Sequence, residues 1–263
     1  MTALENKTHL HPTNREEGNP AFETLEGRPD SGIVIISDHA TNIVPEAYKQ
    51  LGLPPSEFER HIAYDIGAES LTRYLAKAIG CPAIMSRFSR LLIDPNRGSD
   101  DPTLVMRLSD GAIVPGNAQI DREEKQHRID TYYQPYHDEV ARVIDFSVQA
   151  GYPPLVFSIH SFTPFWKGVA RPWEVGVLWE GDDRFARPLI DYLSCDKSLN
   201  VGENEPYVGG IEGESLDKHA RARGLSAALI EIRQDLIGDK TGVDEWGNRL
   251  AQILPKIHNE LKV

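Results

Sequence analysis

The hydrophobic pattern of the chain is a series of short, uninterrupted apolar runs, each closed by a polar or turn residue. Ile33–Ser37 is rich in β-branched residues and shows no polar alternation, which predicts a strand buried on both faces. Ala83–Ser86, Leu155–Ile159, Glu174–Trp179 and Ser226–Ile232 have the same character. Leu91–Ile93 is a shorter candidate that runs into the turn Asp94-Pro95-Asn96. Between these runs the spacing becomes helical. Residues 56–79 predict a helix, with Ser56 as N-cap, Glu59 completing a capping box and Gly80 as the stop. Residues 121–150 also read as helical, with Pro135 forcing a kink or a break. Further helices are expected near 182–194, 214–223 and 244–261. Strand–helix alternation of this kind predicts an α/β fold, a three-layer α/β/α sandwich around a mixed, mostly parallel sheet. Residues 1–30 read as a polar arm. Residues 31–263 read as one domain, because no Gly/Ser-rich or Pro-rich linker divides them.

Composition narrows the partners. With 263 residues and 40% hydrophobic content the chain can bury a large core. A net charge of -12 and a pI near 5.2 argue against nucleic acid or an anionic membrane as partner. They leave room for an acidic small molecule, since a local arginine cluster can override the global field. Two cysteines, Cys81 and Cys195, are too few for a disulfide framework and point to a reducing cytosol. The first thirty residues lack an apolar signal-peptide core, and no apolar run approaches the ~20 residues of a membrane span. A cytoplasmic location is the expectation.

Two of the apolar runs end on histidine: SDH closes at His39 and SIHSF carries His160. In open α/β sheets the carboxyl rim of the strands is where ligands bind. Imidazole is a common metal ligand, and zinc is the usual metal for a mixed histidine and carboxylate set. A catalytic zinc takes three protein ligands, so a third is needed. Asp65 is the candidate, because the spacing His61, Asp65, Ala68, Thr72 places it on the apolar face of the expected helix, where an isolated carboxylate is costly. The bland alternative is a salt bridge to a nearby arginine, and His61 is a second candidate ligand. Asn42 stands where an H-x-x-E pattern would carry its glutamate, and an amide ligates zinc poorly. Arg90 and Arg97, the latter beside Asn96, could grip a carboxylate or an oxyanion, or simply pair with Asp94 or Asp100. Glu231, in the apolar run ALIEIR, either faces outward or acts as general base beside a metal-bound water. His137 shares a helical face with Val140 and Ile144, which turns it inward, to orient substrate or to sit in the core. Gly209-Gly210 permits a tight turn or a close approach to a ligand. The aromatic segment FTPFWKGVARPW is expected as a loop beside His160.

Taken in order, the blocks SDHATNIVP, AYDIGA, SRLLIDPNR, PYH, IHSF, YVGG and ALIEIRQD resemble the N-formylglutamate amidohydrolase family over about residues 33–237. That family is similar to a divergent branch of the zinc carboxypeptidase-like, phosphorylase/hydrolase-like fold. The resemblance implies one zinc ion held by His39, Asp65 and His160. It also implies a substrate carboxylate gripped by Asn96 and Arg97, an oxyanion stabilised by Arg90, and Glu231 as general acid and base. The implied partner is a small N-acyl amino acid, with N-formyl the favoured acyl group. The first block reads SDHA where members of histidine degradation more often read P-H-S-G, so the amino acid itself is left open. Two alternatives remain: another deacylase or carboxypeptidase on the same scaffold, of aspartoacylase or succinylglutamate type, and a catalytically silent metal- or carboxylate-binding module.

Overall fold

The apolar runs lie side by side in one seven-stranded sheet, because strands that are apolar on both faces need a covering layer on each. The computed structural model describes residues 21–261. In chain order the first half contains β1 (Phe22–Leu25), β2 (Ile33–Ser37), α1 (Ala68–Ile79), β3 (Ala83–Ser86), a hairpin of β4 (Leu108–Ser109) and β5 (Ala112–Ile113), α2 (Pro115–Ala118), α3 (Arg122–Arg128) and α4 (Gln134–Gln149). The second half contains β6 (Leu155–Phe162), a hairpin of β7 (Phe165–Trp166) and β8 (Val169–Ala170), β9 (Val175–Leu178), α5 (Ala186–Ser194), β10 (Val201–Glu203), α6 (Ser215–His219), β11 (Ala227–Arg233) and α7 (Lys240–Leu261).

The strand order is β1-β3-β2-β6-β11-β9-β10. The four central strands β3, β2, β6 and β11 are parallel, whereas β1 pairs antiparallel with β3 and β9 antiparallel with β11. Helices α1, α5 and α7 cover one face, where Leu75, Leu189 and Leu254 meet Ile35, Phe157 and Ile230. On the other face α4 and the loops carrying Phe88 and Leu92 pack on Ile36, Val156 and Leu229. This is the mixed, mostly parallel α/β/α sandwich that the alternation predicts. The chain leaves β2 toward β3 on one side and later forms β6 on the other. The crevice beyond the carboxyl ends of β2 and β6 is therefore a topological switch point, the usual ligand position in such sheets.

Several local expectations are corrected. The helix expected over 56–79 begins only at Ala68. Ser56 lies inside a 3-10 turn over Pro55–Glu59 and caps no helix. Gly67 sits at φ 85°, a left-handed conformation that halts the helix on its N-terminal side. A Cβ at Gly67 would also lie 2.2 Å from the carbonyl oxygen of Ile237. Leu91–Ile93 is buried but is no strand: the Leu91 and Leu92 carbonyls accept from the side chains of Asn117 and Arg128 instead of a ladder. Pro135 is the second residue of α4, which directly follows a π-helical turn at Ile129–Tyr133 that separates it from α3, so the helical stretch over 121–150 changes type where the proline stands. The helix expected over 214–223 is the short α6 followed by a 3-10 turn at Arg221–Arg223. Phe22–Leu25, within the expected polar arm, is the antiparallel edge strand; residues 1–20 of that arm lie outside the described residues. The aromatic segment after His160 forms the β7–β8 hairpin.

Gly67→Ala should destabilise the protein by about 1–3 kcal/mol, since it adds both a strained φ and an overlap with Ile237. The urea midpoint checks this, and an unchanged midpoint would contradict the account of where α1 starts.

Candidate active site

His39 follows β2 by two residues and His160 lies in β6, the neighbouring strand, so both rings reach the same crevice. Their centroids are 4.9 Å apart and nearly perpendicular, at 79°. Asp65 comes from the turn before α1, where its backbone N–H donates to the His39 carbonyl at 2.9 Å. Its Oδ2 lies 2.8 Å from His160 Nδ1 and 3.3 Å from His39 Nδ1, and accepts the Ser161 N–H at 3.3 Å. All three side chains are buried, and their ligand atoms lie within 4.8 Å of one another. The far ring nitrogens face acids as well. His39 Nε2 is 2.7 Å from Asp94 Oδ1, and His160 Nε2 is 3.3 Å from Asp38 Oδ2 and 3.0 Å from Ser158 Oγ. A carboxylate on the outer nitrogen fixes the tautomer and plane of an imidazole whose inner nitrogen binds a metal. Those acids are anchored in turn: Asp38 accepts from Tyr136 and Ser215 hydroxyls at 2.8 and 2.5 Å, and Asp94 accepts from Arg90 and the Asn96 N–H, both at 2.9 Å. Two imidazole nitrogens and one carboxylate oxygen form a donor set that could hold a divalent metal ion.

Glu231 is brought to the same place by register. It pairs with His160 across β11 and β6, so both side chains leave the sheet on one face. Glu231 is buried, and its Oε2 has no hydrogen-bond partner among the described residues. Arg90 also joins the group: it pairs with Asp94 and lies 3.5 Å from Asp65 Oδ1. The plain salt-bridge reading of Asp65 and Arg90 and the functional one thus meet in one cluster. Asn96 and Arg97 follow Asp94, with the Asn96 side-chain oxygen accepting the Ser215 N–H and Arg97 donating to the Asn96 carbonyl at 2.8 Å. Other candidates lie elsewhere. Asn42 donates to the Phe58 carbonyl, and His61 faces Asp110 and Trp166. His137 sits in a separate cluster, stacked on His219 with their nitrogens 2.8 Å apart. Gly209 and Gly210 approach protein: a Cβ there would overlap the Trp179 backbone and the Glu180 carboxylate. The sequence pattern singles out neither Asp38 nor Asp94 as a partner of the outer nitrogens. The adjacency of Asp38 to His39 and the acid closing the apolar LLID were the available signals.

The sequence profile of the N-formylglutamate amidohydrolase family matches residues 31–238, most of the chain. The chain belongs to this family. It is an amidohydrolase, a hydrolase of C–N amide bonds. A crystal structure of a gene product of Agrobacterium tumefaciens is 30% identical, covering 93% of this chain and 97% of its own, with a TM-score of 0.86. The crystal structure of N-formylglutamate amidohydrolase from Ralstonia eutropha is 18% identical with a TM-score of 0.75, covering 93% of this chain and 99% of its own, and shares the fold. No curated protein matches the chain.

Electrostatics separate the acids of this amidohydrolase into two kinds. Burial alone would raise Asp38, Asp65 and Asp94, but nearby cations outweigh it. His160 and His39 hold Asp38 down at about 2 and Asp65 well below the carboxylate range. Arg90 and His39 do the same for Asp94. Burial opposes a charge on His160, yet Asp38 and Asp65 on its two nitrogens raise its pKa well above the usual value. Glu231 goes the other way. Burial pushes it up to about 7, and the Asp65 charge adds to this against the pull of His160, His39 and Arg90. Such a carboxyl exchanges a proton near neutrality, as a general base and acid must. The folded protein keeps a proton on Glu231 that the unfolded chain has released above 4.5. Stability from this group is full below that value and is lost as pH rises to about 7, a change of roughly 3 kcal/mol. Chelator-treated Glu231→Gln should therefore gain stability over wild type at about pH 8 and not at about pH 4.5. Urea denaturation at both pH values reads the difference, and an equal offset at each would contradict a buried, raised Glu231.

Proposed function

We propose that the chain is a zinc-dependent amidohydrolase that cleaves N-acyl amino acids, with N-formyl substrates such as N-formylglutamate favoured, releasing formate and the free amino acid. The observation that carries this reading is the convergence of His39 Nδ1, His160 Nδ1 and Asp65 Oδ2 beside a buried, unpartnered Glu231 oxygen. Bound by these three atoms, zinc would polarise the amide carbonyl and acidify a water. Glu231 takes the proton from the attacking water as its oxygen bonds to the carbonyl carbon. It then delivers that proton to the amide nitrogen as the C–N bond breaks. Arg90, held against Asp94 and Asp65, presents positive charge to the oxygen that becomes anionic. Arg97, which has no acid partner among the described residues, takes the α-carboxylate beside Asn96. His137 is neutral: burial, with the charge of Lys218, lowers its pKa to about 3. Its place behind Asp38, with His219, supports a packing role.

A cytoplasmic location fits the free thiols, Cys81 buried and Cys195 exposed. No helix among the described residues is long and apolar enough to cross a membrane.

The test is a panel of N-formyl, N-acetyl and N-succinyl amino acids scored by release of free amine from the zinc-loaded enzyme. N-formyl substrates should be cleaved fastest; a preference for N-acetyl or N-succinyl substrates would reassign the acyl group, and no release from any would overturn the reading. Glu231→Gln should lower kcat by on the order of 10³ while keeping its zinc. Asp65→Ala should lose the stoichiometric zinc that wild type binds, read by elemental analysis.

A further inference from the structure

Arg171 lies over the last residue of β6, two positions beyond His160, in an unusual state. Its guanidinium lies over three aromatic rings, 5.0 Å from the Tyr207 centroid and 5.5 Å from those of Phe162 and Trp166. Its side chain makes one hydrogen bond among the described residues, donated to the Tyr207 hydroxyl at 3.0 Å. It closes on no acid there, whereas nearby Arg233 closes on Glu174 and Asp235. The rings fix the plane of the fork and leave most of its N–H donors free. A guanidinium in that condition is a receptor for a carboxylate that the protein itself does not supply.

The hydroxyl it touches is also poised. Tyr207 Oη accepts from Arg171, so its own proton remains to be donated, and no acceptor for it stands among the described residues. Burial raises the pKa of the Tyr207 phenol, and the charges of Glu231 and Asp65 add to the rise. Backbone packing explains its position. Gly176 pairs with Glu231 across β9 and β11, and a Cβ at Gly176 would fall 1.8 Å from the Glu205 carbonyl oxygen. The bare glycine lets the segment leading to Tyr207 settle on the sheet beside Glu231. Phe162, under Arg171, is two residues beyond His160 and shares its face of β6. Arg171 is thus tied to the β11–β9 side of the site. Arg97 is tied to the β2 side, through its neighbour Asp94 and that acid's contact with His39.

We propose that Arg171 and Tyr207 form an anion subsite that binds the side-chain carboxylate of the substrate. This rests on the proposed reaction and adds the residues that would set its side-chain specificity. In this proposal Arg97 and Arg171 hold the two carboxylates while the acyl amide lies between them.

The test uses zinc-loaded enzyme and two substrates of one shape, N-formylglutamate and N-formylglutamine. Arg171→Met keeps an apolar stem on the three rings and removes the fork. It should lower kcat/KM for N-formylglutamate by on the order of 30- to 100-fold, mainly through KM, and change N-formylglutamine by less than about threefold. Tyr207→Phe should show the same selectivity with a smaller loss, about tenfold, and serves if the first variant folds poorly. Equal losses on both substrates, or no loss on N-formylglutamate, would overturn the subsite. If wild type cleaves neither compound, the proposed reaction fails, and the subsite is then read by calorimetry with glutarate and its monoamide. A preference for glutarate that Arg171→Met abolishes upholds the subsite, and no preference refutes it.

Discussion

One carboxylate oxygen organises this molecule's chemistry. Asp65 Oδ2 faces the inner nitrogens of both His39 and His160, while Asp94 and Asp38 face the outer ones. Burying charge is costly unless it is matched. With both imidazoles neutral, the three buried aspartates exceed Arg90 by two negative charges, the charge that a divalent cation would neutralise. Without a cation, a proton on His160 meets part of that demand, which is why the neighbouring acids hold its pKa up. A divalent cation and protons would therefore compete for one buried site, and binding the first would release the second.

The scaffold makes this arrangement affordable by spreading it over rigid elements. Parallel strands β2 and β6 place the two histidines side by side, and Asp65 is pinned to the His39 carbonyl through its own backbone. Glu231 is set by the register of β11 on β6, beside the histidines yet outside their hydrogen-bond network. That separation leaves its carboxyl raised while Asp38, Asp65 and Asp94 are lowered. Similar carboxyl groups acquire opposite acidities within one crevice, and that difference suits the aspartates to holding the imidazoles and Glu231 to the proton transfer proposed for it.

The central strands, the sandwich architecture and the pair of strand-end histidines were legible in the sequence because uninterrupted β-branched runs carry their own meaning. Asp65 was reached for a reason that fails locally. The expected helix face does not extend to it, because Gly67 halts α1 at Ala68, yet the cost of burying a lone carboxylate pointed to a residue that meets both histidines. Asp38 and Asp94 were not legible as partners, since nothing in the spacing SDH or LLID says which ring nitrogen they will meet. Leu91–Ile93 misled because burial by side-chain hydrogen bonds and burial in a ladder leave the same apolar signature. Tyr207 depended on a glycine thirty-one positions earlier, a relation that exists only once β9 and β11 pair.

The central claim is that His39 Nδ1, His160 Nδ1 and Asp65 Oδ2 hold the metal. Anomalous diffraction at the zinc edge from crystals of the zinc-loaded protein tests it most directly. The account predicts one strong peak about 2.0–2.2 Å from each of those three atoms. A peak at the His137–His219 pair instead, or no peak between His39, Asp65 and His160, would contradict it.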